Sequence, residues 1–238
     1  MLQLSKRMQA VADLAKEVDV LADVGTDHAY IPIYLAECGK LKRAIAMDIN
    51  QGPLERACEH IQQYAVADYI ETRLSDGLDA LEQGEADTIM IAGMGGALME
   101  RILTQGEIVA HSAKRLVLQP QSELSAFRCF LSQHGYRIVE EDMVYEERKF
   151  YTIMAAEPVI EDQRVSGGCL SQTELKYGPL LIQQCHPVLK LYLQRQQEQK
   201  QQILERLCVN AKRDVSKQRF QVKKDLKEIE KVLELWKE

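Results

Sequence analysis

Val20-Leu21-Ala22-Asp23-Val24-Gly25-Thr26-Asp27-His28-Ala29-Tyr30 runs from a short, almost wholly apolar segment into a turn that contains a single glycine. The apolar run reads as a buried strand, and the stretch after the turn, through about Cys38, as a helix. A small residue at a strand's carboxyl end lets the backbone approach a ligand closely, and open α/β sheets bind ligands at that edge. The glycine pattern is not G-x-G-x-x-G, because only Gly25 is present, so a nicotinamide dinucleotide loses much of its support. Asp23, two residues before the glycine, suits S-adenosylmethionine (SAM) better, since that molecule carries an ammonium and a sulfonium where a dinucleotide carries a pyrophosphate. An ordinary strand-to-helix turn capped by Asp27 fits the same eight residues about as well.

The segments on either side repeat the alternation. Arg43–Asp48, Ile70–Leu74, Thr88–Ala92 and Arg115–Gln119 read as further strands, with a helix from Pro53 to Tyr64, proline in its first turn. Strands alternating with helices predict a parallel, doubly wound sheet. Tyr136–Val144 and Lys149–Ala156 then follow each other with no room for a helix, joined by Tyr145-Glu146-Glu147-Arg148. That pair predicts an antiparallel hairpin finishing the sheet, a feature of the SAM-methyltransferase version of this architecture.

Acids recur at the strand ends. Asp48 closes the second strand, where a carboxylate accepts hydrogen bonds from both hydroxyls of a ribose. Ser75-Asp76-Gly77 follows the third, placing an acid for an exocyclic amine and a glycine that leaves room for a ring. Ala92-Gly93-Met94-Gly95-Gly96 follows the fourth, and three glycines in four residues imply unusual backbone angles or a close ligand. Gln119-Pro120-Gln121-Ser122 puts polar groups at the same edge, as base-positioning side chains or as a plain helix entry.

Charge and composition set the limits. Hydrophobic residues make up 46% of the 238 and charged residues 28%, which is ordinary for a folded globular chain and excludes a disordered one. The N-terminal residues read as a short amphipathic helix without the features of a signal peptide, and no window has the length of a membrane span. The six cysteines contain no C-x-x-C pair, so reduced thiols in a cytoplasmic protein, without a metal, are expected. The net charge of −6 divides unevenly: residues 1–159 carry −10 and residues 160–238 carry +4. A polyanionic partner is therefore expected at the C-terminal part.

That part is separated by a polar stretch ending in Gly167-Gly168, giving an expected division into 1–160 and 161–238. Ser171-Gln172-Thr173-Glu174 has the form of a capping box. Two long stretches follow, about 187–207 and 215–237, with narrow apolar stripes at Leu189, Leu193, Ile203 and Leu207 and at Leu226, Ile229, Leu233 and Trp236. Two such helices predict an antiparallel coiled-coil hairpin. Seven basic residues (Arg206, Lys212, Arg213, Lys217, Arg219, Lys223, Lys224) against one acid, Asp214, surround its tip, where they suit phosphates. Lys6 and Arg7 are candidates for a second RNA contact.

Taken together, Leu4-Ser5-Lys6-Arg7, the Asp23–Tyr30 octapeptide, Ala46-Met47-Asp48-Ile49-Asn50, Ser75-Asp76-Gly77-Leu78, Ala92–Gly96 and Gln119-Pro120-Gln121 resemble the bacterial tRNA (adenine-22-N1)-methyltransferase family over essentially the whole chain. The resemblance implies a Rossmann-like catalytic domain with a C-terminal coiled coil, SAM as methyl donor and adenine N1 in the tRNA D-loop as acceptor. It implies a cofactor site at Asp23, Gly25, Thr26, Asp27, His28, Asp48, Ile49, Asp76, Gly77 and Gly93. Asp27 is the candidate for stabilising the methylated, cationic base, with holding the SAM amino group as its competing role. His28 is expected as a turn cap or a proton relay, and Tyr30 as a core or a stacking residue. The enzyme is expected as a monomer or weak dimer. Two rivals stand beside this reading: a small-molecule methyltransferase with a dimerising coiled coil, and a non-catalytic RNA- or nucleotide-binding protein.

Overall fold

The computed structural model describes residues 1–159, 170–209 and 215–236, and these fall into two compact units, Met1–Leu170 and Ser171–Glu238. The expected Gly167-Gly168 linker lies outside the described residues.

Unit 1 is built on one seven-stranded sheet. In chain order its elements are α1 (Lys6–Ala15), β1 (Val18–Val24), α2 (Tyr30–Glu37), β2 (Leu41–Asp48), α3 (Gln51–Gln63), β3 (Ile70–Leu74), β4 (Thr88–Met94), α4 (Gly96–Gln105), α5 (Glu107–Ser112), β5 (Arg115–Pro120), α6 (Leu124–Gln133), β6 (Tyr136–Glu146) and β7 (Lys149–Pro158). The strands lie in the order β3-β2-β1-β4-β5-β7-β6. The first five are parallel, whereas β7 enters antiparallel between β5 and β6. This is the Rossmann-like sheet expected of a SAM methyltransferase, with the terminal hairpin on its edge. The hairpin strands run further than their sequence implies, to a two-residue turn at Glu147 (φ 46°) and Arg148 (φ 63°).

The apolar runs of the central strands are explained by cover on both faces. Leu21, Met90 and Val117 point into a layer with Val11 and Leu14 of α1, Ile33 of α2 and Ile61 of α3. Their neighbours Ala22, Ile89, Ile91 and Leu116 point the other way, among Met99 and Leu103 of α4 and Phe127 of α6. Period-two alternation thus sends successive side chains into two cores, and every strand end carrying an acid emerges at one edge.

α1 is fixed at its start by two caps. The Ser5 hydroxyl accepts from Met8 N (3.3 Å), and the Glu146 carboxylate accepts from Lys6 N (2.7 Å) and Arg7 N (3.3 Å). Those amides hold the Glu146 carboxyl below its ordinary range, against a raising effect of burial. Glu146→Ala is expected to destabilise unit 1 by about 1 kcal/mol, the usual cost of a lost helix cap, as read from urea melts.

Unit 2 contains α7 (Gln172–Tyr177), α8 (Pro179–Gln183), α9 (Pro187–Val209) and α10 (Ser216–Glu234). The capping box at α7 is formed, with Ser171 and Glu174 bonded reciprocally. α9 and α10 make an antiparallel hairpin: Trp236 Nε1 donates to Cys185 O (2.8 Å) at one end, and Lys200 pairs with Asp225 further along. The seam is shorter than the sequence stripes imply. Leu189, Leu193, Leu226, Ile229 and Val232 are buried, while Ile203 is 44% exposed and Leu233 only half-buried. The Gln- and Lys-rich stretch between Leu193 and Ile203 interrupts the apolar stripe, so the two helices pack tightly only on the Cys185–Trp236 side of it.

Candidate active site

The carboxyl edge of the sheet gathers five of the quoted segments. Gly25 lies at φ +79°, and Gly25 N and Thr26 N both donate to Met47 O at 2.8 Å. The turn after β1 is thereby stitched to the end of β2, one residue before Asp48. The positive φ favours glycine there, and a Cβ would also displace the end of the Met94 side chain. Thr26 is buried beside Asp23.

Asp23 is 8% exposed. Burial pushes its carboxyl up to about 6; Thr26 opposes the rise and the charge of Asp48 adds to it. A buried carboxylate kept at this cost marks a place where a cation is wanted. Asp48 is half-buried, with Oδ1 accepting from Asn50 N (2.8 Å), and its neighbour Ile49 is exposed. The third acid, Asp76, is exposed near Arg101 (3.7 Å). Its loop is held by Ser75, whose hydroxyl donates to Gly77 O (3.0 Å) and accepts from Ala80 N (3.1 Å). Gly77 sits at φ +59°, and a Cβ there would press to 3.1 Å from Ile102.

The end of β4 carries a bulge between Ala92 and Met94, with Gly93 at φ +80°. Space around Gly93 is bounded by Gln121 Nε2 and Arg7 Nη1, 3.7 and 3.9 Å from where a Cβ would stand. Arg7 in turn donates to Gln119 Oε1 (3.1 Å) and lies 5.6 Å from the centre of the Tyr151 ring. Arg7, Gln119, Gln121 and Gly93 therefore form one polar wall, while Lys6 stays at the exposed surface.

Asp27 and His28 behave differently from the expected caps. The residue preceding α2 is Ala29 in a left-handed conformation (φ 54°), with no side-chain cap. Asp27 is instead exposed and pairs with Arg56 of α3 and with His28 Nε2 (3.2 Å). His28 stacks on Tyr30 with ring centres 5.0 Å apart, and His60 packs 5.0 Å from His28 and 5.1 Å from Tyr30. Nδ1 of His28 is buried without a hydrogen-bond partner among the described residues. The sequence reading missed Arg56 and His60. Their spacing of four puts both on one face of α3, but nothing in the sequence says that this face meets the turn after β1.

A methyltransferase-domain family model matches residues 4–154. A tRNA (adenine(22)-N(1))-methyltransferase of Bacillus subtilis (strain 168) is 35% identical over 237 residues, spanning 100% of this chain and 97% of that one. The chain belongs to the tRNA (adenine-22-N1)-methyltransferase family. Solved structures agree with that membership of the family. The B. subtilis m1A22 tRNA methyltransferase TrmK has a TM-score of 0.74 at 33% identity, covering 100% of this chain and 98% of that one. A Streptococcus pneumoniae protein, Sp1610, in complex with S-adenosyl-L-methionine has a TM-score of 0.82 at 33% identity, covering 97% of this chain and 100% of that one.

The basic residues expected to meet RNA divide in this family member. Arg206, Lys217, Lys223 and Lys224 are exposed on α9 and α10, and Arg219 is half-buried. Lys212 and Arg213 lie outside the described residues. Among the described residues no group of three His, Cys, Asp or Glu is arranged to hold a metal ion, and no helix is long and apolar enough to cross a membrane.

Proposed function

We propose that this protein transfers a methyl group from SAM to N1 of adenine 22 of tRNA. The observation that carries the reading is the row of acids at three adjacent strand ends, Asp23, Asp48 and Asp76, beside glycines whose positive φ disfavours a side chain. Those residues fit SAM. The carboxylates suit an ammonium, a ribose diol and an exocyclic amine respectively. In this assignment Asp23, Gly25 and Thr26 hold the amino-acid end, Asp48 the ribose, and Ile49, Asp76 and Gly77 the adenine ring. Bound SAM supplies an electrophilic methyl group on a sulfonium.

N1 of adenine has an in-plane lone pair, so the chain's main task is alignment, a contribution of roughly 7–11 kcal/mol in favourable cases. Gly93 and the wall of Arg7, Gln119 and Gln121 border the space for the acceptor base. The base becomes cationic on methylation as the sulfonium becomes a neutral thioether, so the transfer balances with no proton released. In this reading the Asp27 carboxylate, beside Arg56 and His28, stabilises the charge that develops on the base. Because N1 lies on the Watson–Crick edge, the target must be unpaired or turned out of its stack.

Incubation with labelled SAM and unmodified tRNA transcript, followed by nucleoside analysis, tests the reading; 1-methyladenosine at position 22 is the expected product. Label incorporated elsewhere, or none, would overturn it. Asp27→Asn is expected to lower kcat about 100-fold, the scale of one group that stabilises transition-state charge, while leaving the SAM Kd within about threefold. An equal loss in SAM affinity would assign Asp27 to the cofactor's amino group instead.

A further inference from the structure

We infer that the outer face of α10 is a tRNA-binding face on which Phe220 stacks against an unpaired base while lysines on either side hold the adjoining phosphates. This rests on the tRNA reading and adds to it a mode of contact.

Phe220 is 72% exposed, the most exposed aromatic among the described residues. A single exposed phenylalanine needs no explanation by itself. What surrounds it does. Lys217, Lys224, Lys227 and Lys231 recur with Phe220 at spacings of three and four, and Lys223 lies alongside, so one helical stripe carries five lysines and one aromatic ring. The stripe faces away from the seam residues Leu226, Ile229 and Val232. All five lysines are exposed, and none makes an ion pair or hydrogen bond among the described residues.

The helix has carboxylates that could have neutralised them, but two are turned inward. Asp225 holds Lys200 and accepts from Gln221 (2.8 Å). Glu228 accepts from Thr173 Oγ1 (3.2 Å) and Lys176 Nζ (2.9 Å). Glu230 lies off the side of the stripe, and Glu234 closes its C-terminal end. The helix thus spends two of its four acids on holding unit 2 together, and between Lys217 and Lys227 it leaves a face of one sign that carries a π surface. From Lys217 to Lys231 that face is roughly 21 Å long, at 1.5 Å per residue, enough to follow several nucleotides. An acidic protein partner would use the lysines and leave the ring without purpose. An extended nucleic-acid segment uses both, since every base offers a face to stack on and every nucleotide a phosphate.

The test uses the full chain, a tRNA transcript, and binding and kinetics over a series of salt concentrations. Phe220→Ala is expected to raise the tRNA KM about tenfold, within the range seen when a base-stacking aromatic is removed. Saturating kcat and SAM Kd should change less than about twofold. Phe220→Trp should restore affinity, whereas Phe220→Leu, equally apolar but without a π face, should behave as Ala. Lys217→Gln, Lys224→Gln and Lys231→Gln together should reduce the slope of log K against log salt by about 2 to 3. Because Ala and Gln favour helix at least as well as the residues they replace, loss of α10 would not explain these results. An unchanged KM in Phe220→Ala, or full affinity in Phe220→Leu, would overturn stacking. If the unsubstituted protein methylates no tRNA, the function itself fails, a result separate from any variant's.

Discussion

Asp48→Ala is expected to weaken SAM binding at least about 100-fold and to remove tRNA methylation at micromolar SAM. Hydrogen bonds to a charged acceptor are worth about 1.5–3 kcal/mol each, and a carboxylate facing a ribose diol accepts two. The two are not additive, but 3 kcal/mol of combined loss already exceeds two orders of magnitude. The structure argues that this carboxylate is aimed and not merely present. Oδ1 is tethered by Asn50 N at 2.8 Å, and the Met47 carbonyl next to it receives both amides of the Gly25-Thr26 turn. Since the backbone, not Asp48, ties β1 to β2, the substitution should leave the fold intact. Calorimetric titration checks it, with Asp48→Asn as control: an amide accepts only one of the two bonds through oxygen and should lie between. Unaltered affinity in Asp48→Ala would remove the ribose assignment, and the three-acid reading with it.

The parts of the molecule legible in the sequence are those set by local periodicity. The central strands announce themselves because burial on both faces requires uninterrupted apolar residues, and the strand-end acids are visible because each follows such a run directly. The hairpin of β6 and β7 was legible as a pair, but its turn was not. Glu147 and Arg148 both adopt positive φ without being glycine or asparagine, so the residue preferences that reveal a two-residue turn are absent. α5 is six residues long, with one buried side chain, too few to show a helical period.

The site divides in the same way. Asp23, Gly25, Asp48, Gly77 and Gly93 can be located from strand ends alone. The Asp27–Arg56 pair, the Tyr30–His28–His60 stack and the Arg7–Gln119 contact are separated by 29, 32 or 112 residues in sequence for their longer links. They exist because helices from different crossovers return to one edge of the sheet, which no local pattern records. In unit 2 the reading went astray for a related reason. Ile203 has the spacing of a seam residue, but helical spacing specifies a direction around the axis and not whether a partner lies there.

Asp23→Asn is expected to move stability and cofactor affinity in opposite directions. The folded protein raises the Asp23 carboxyl from an ordinary 3.8 to about 6, mainly by burial. Holding the ionised form inside therefore costs stability. That cost is absent below pH 3.8, where the group is protonated in both states, grows between there and 6, and is complete above, at about 3 kcal/mol. Asparagine is nearly the same shape and carries no charge, so it should recover part of this. At about 2–4 °C per kcal/mol, the melting temperature of the SAM-free protein should rise by about 5 °C at pH 7.5 and by about a third of that near pH 4.5. A bound ammonium would offset the same cost in the natural protein, so the variant should lose at least about 100-fold in SAM affinity and show a far smaller rise in melting temperature on adding SAM. Linkage gives the pH signature. Between pH 7 and 5, below the titration of the ligand's own amino group, the SAM Kd of the natural protein should increase as pH falls through about 6, approaching tenfold per pH unit, while that of Asp23→Asn stays level. A flat profile in the natural protein would mean that no ligand cation meets this carboxylate. A variant that is both less stable and unable to bind would mean that the charge serves the turn and not the cofactor.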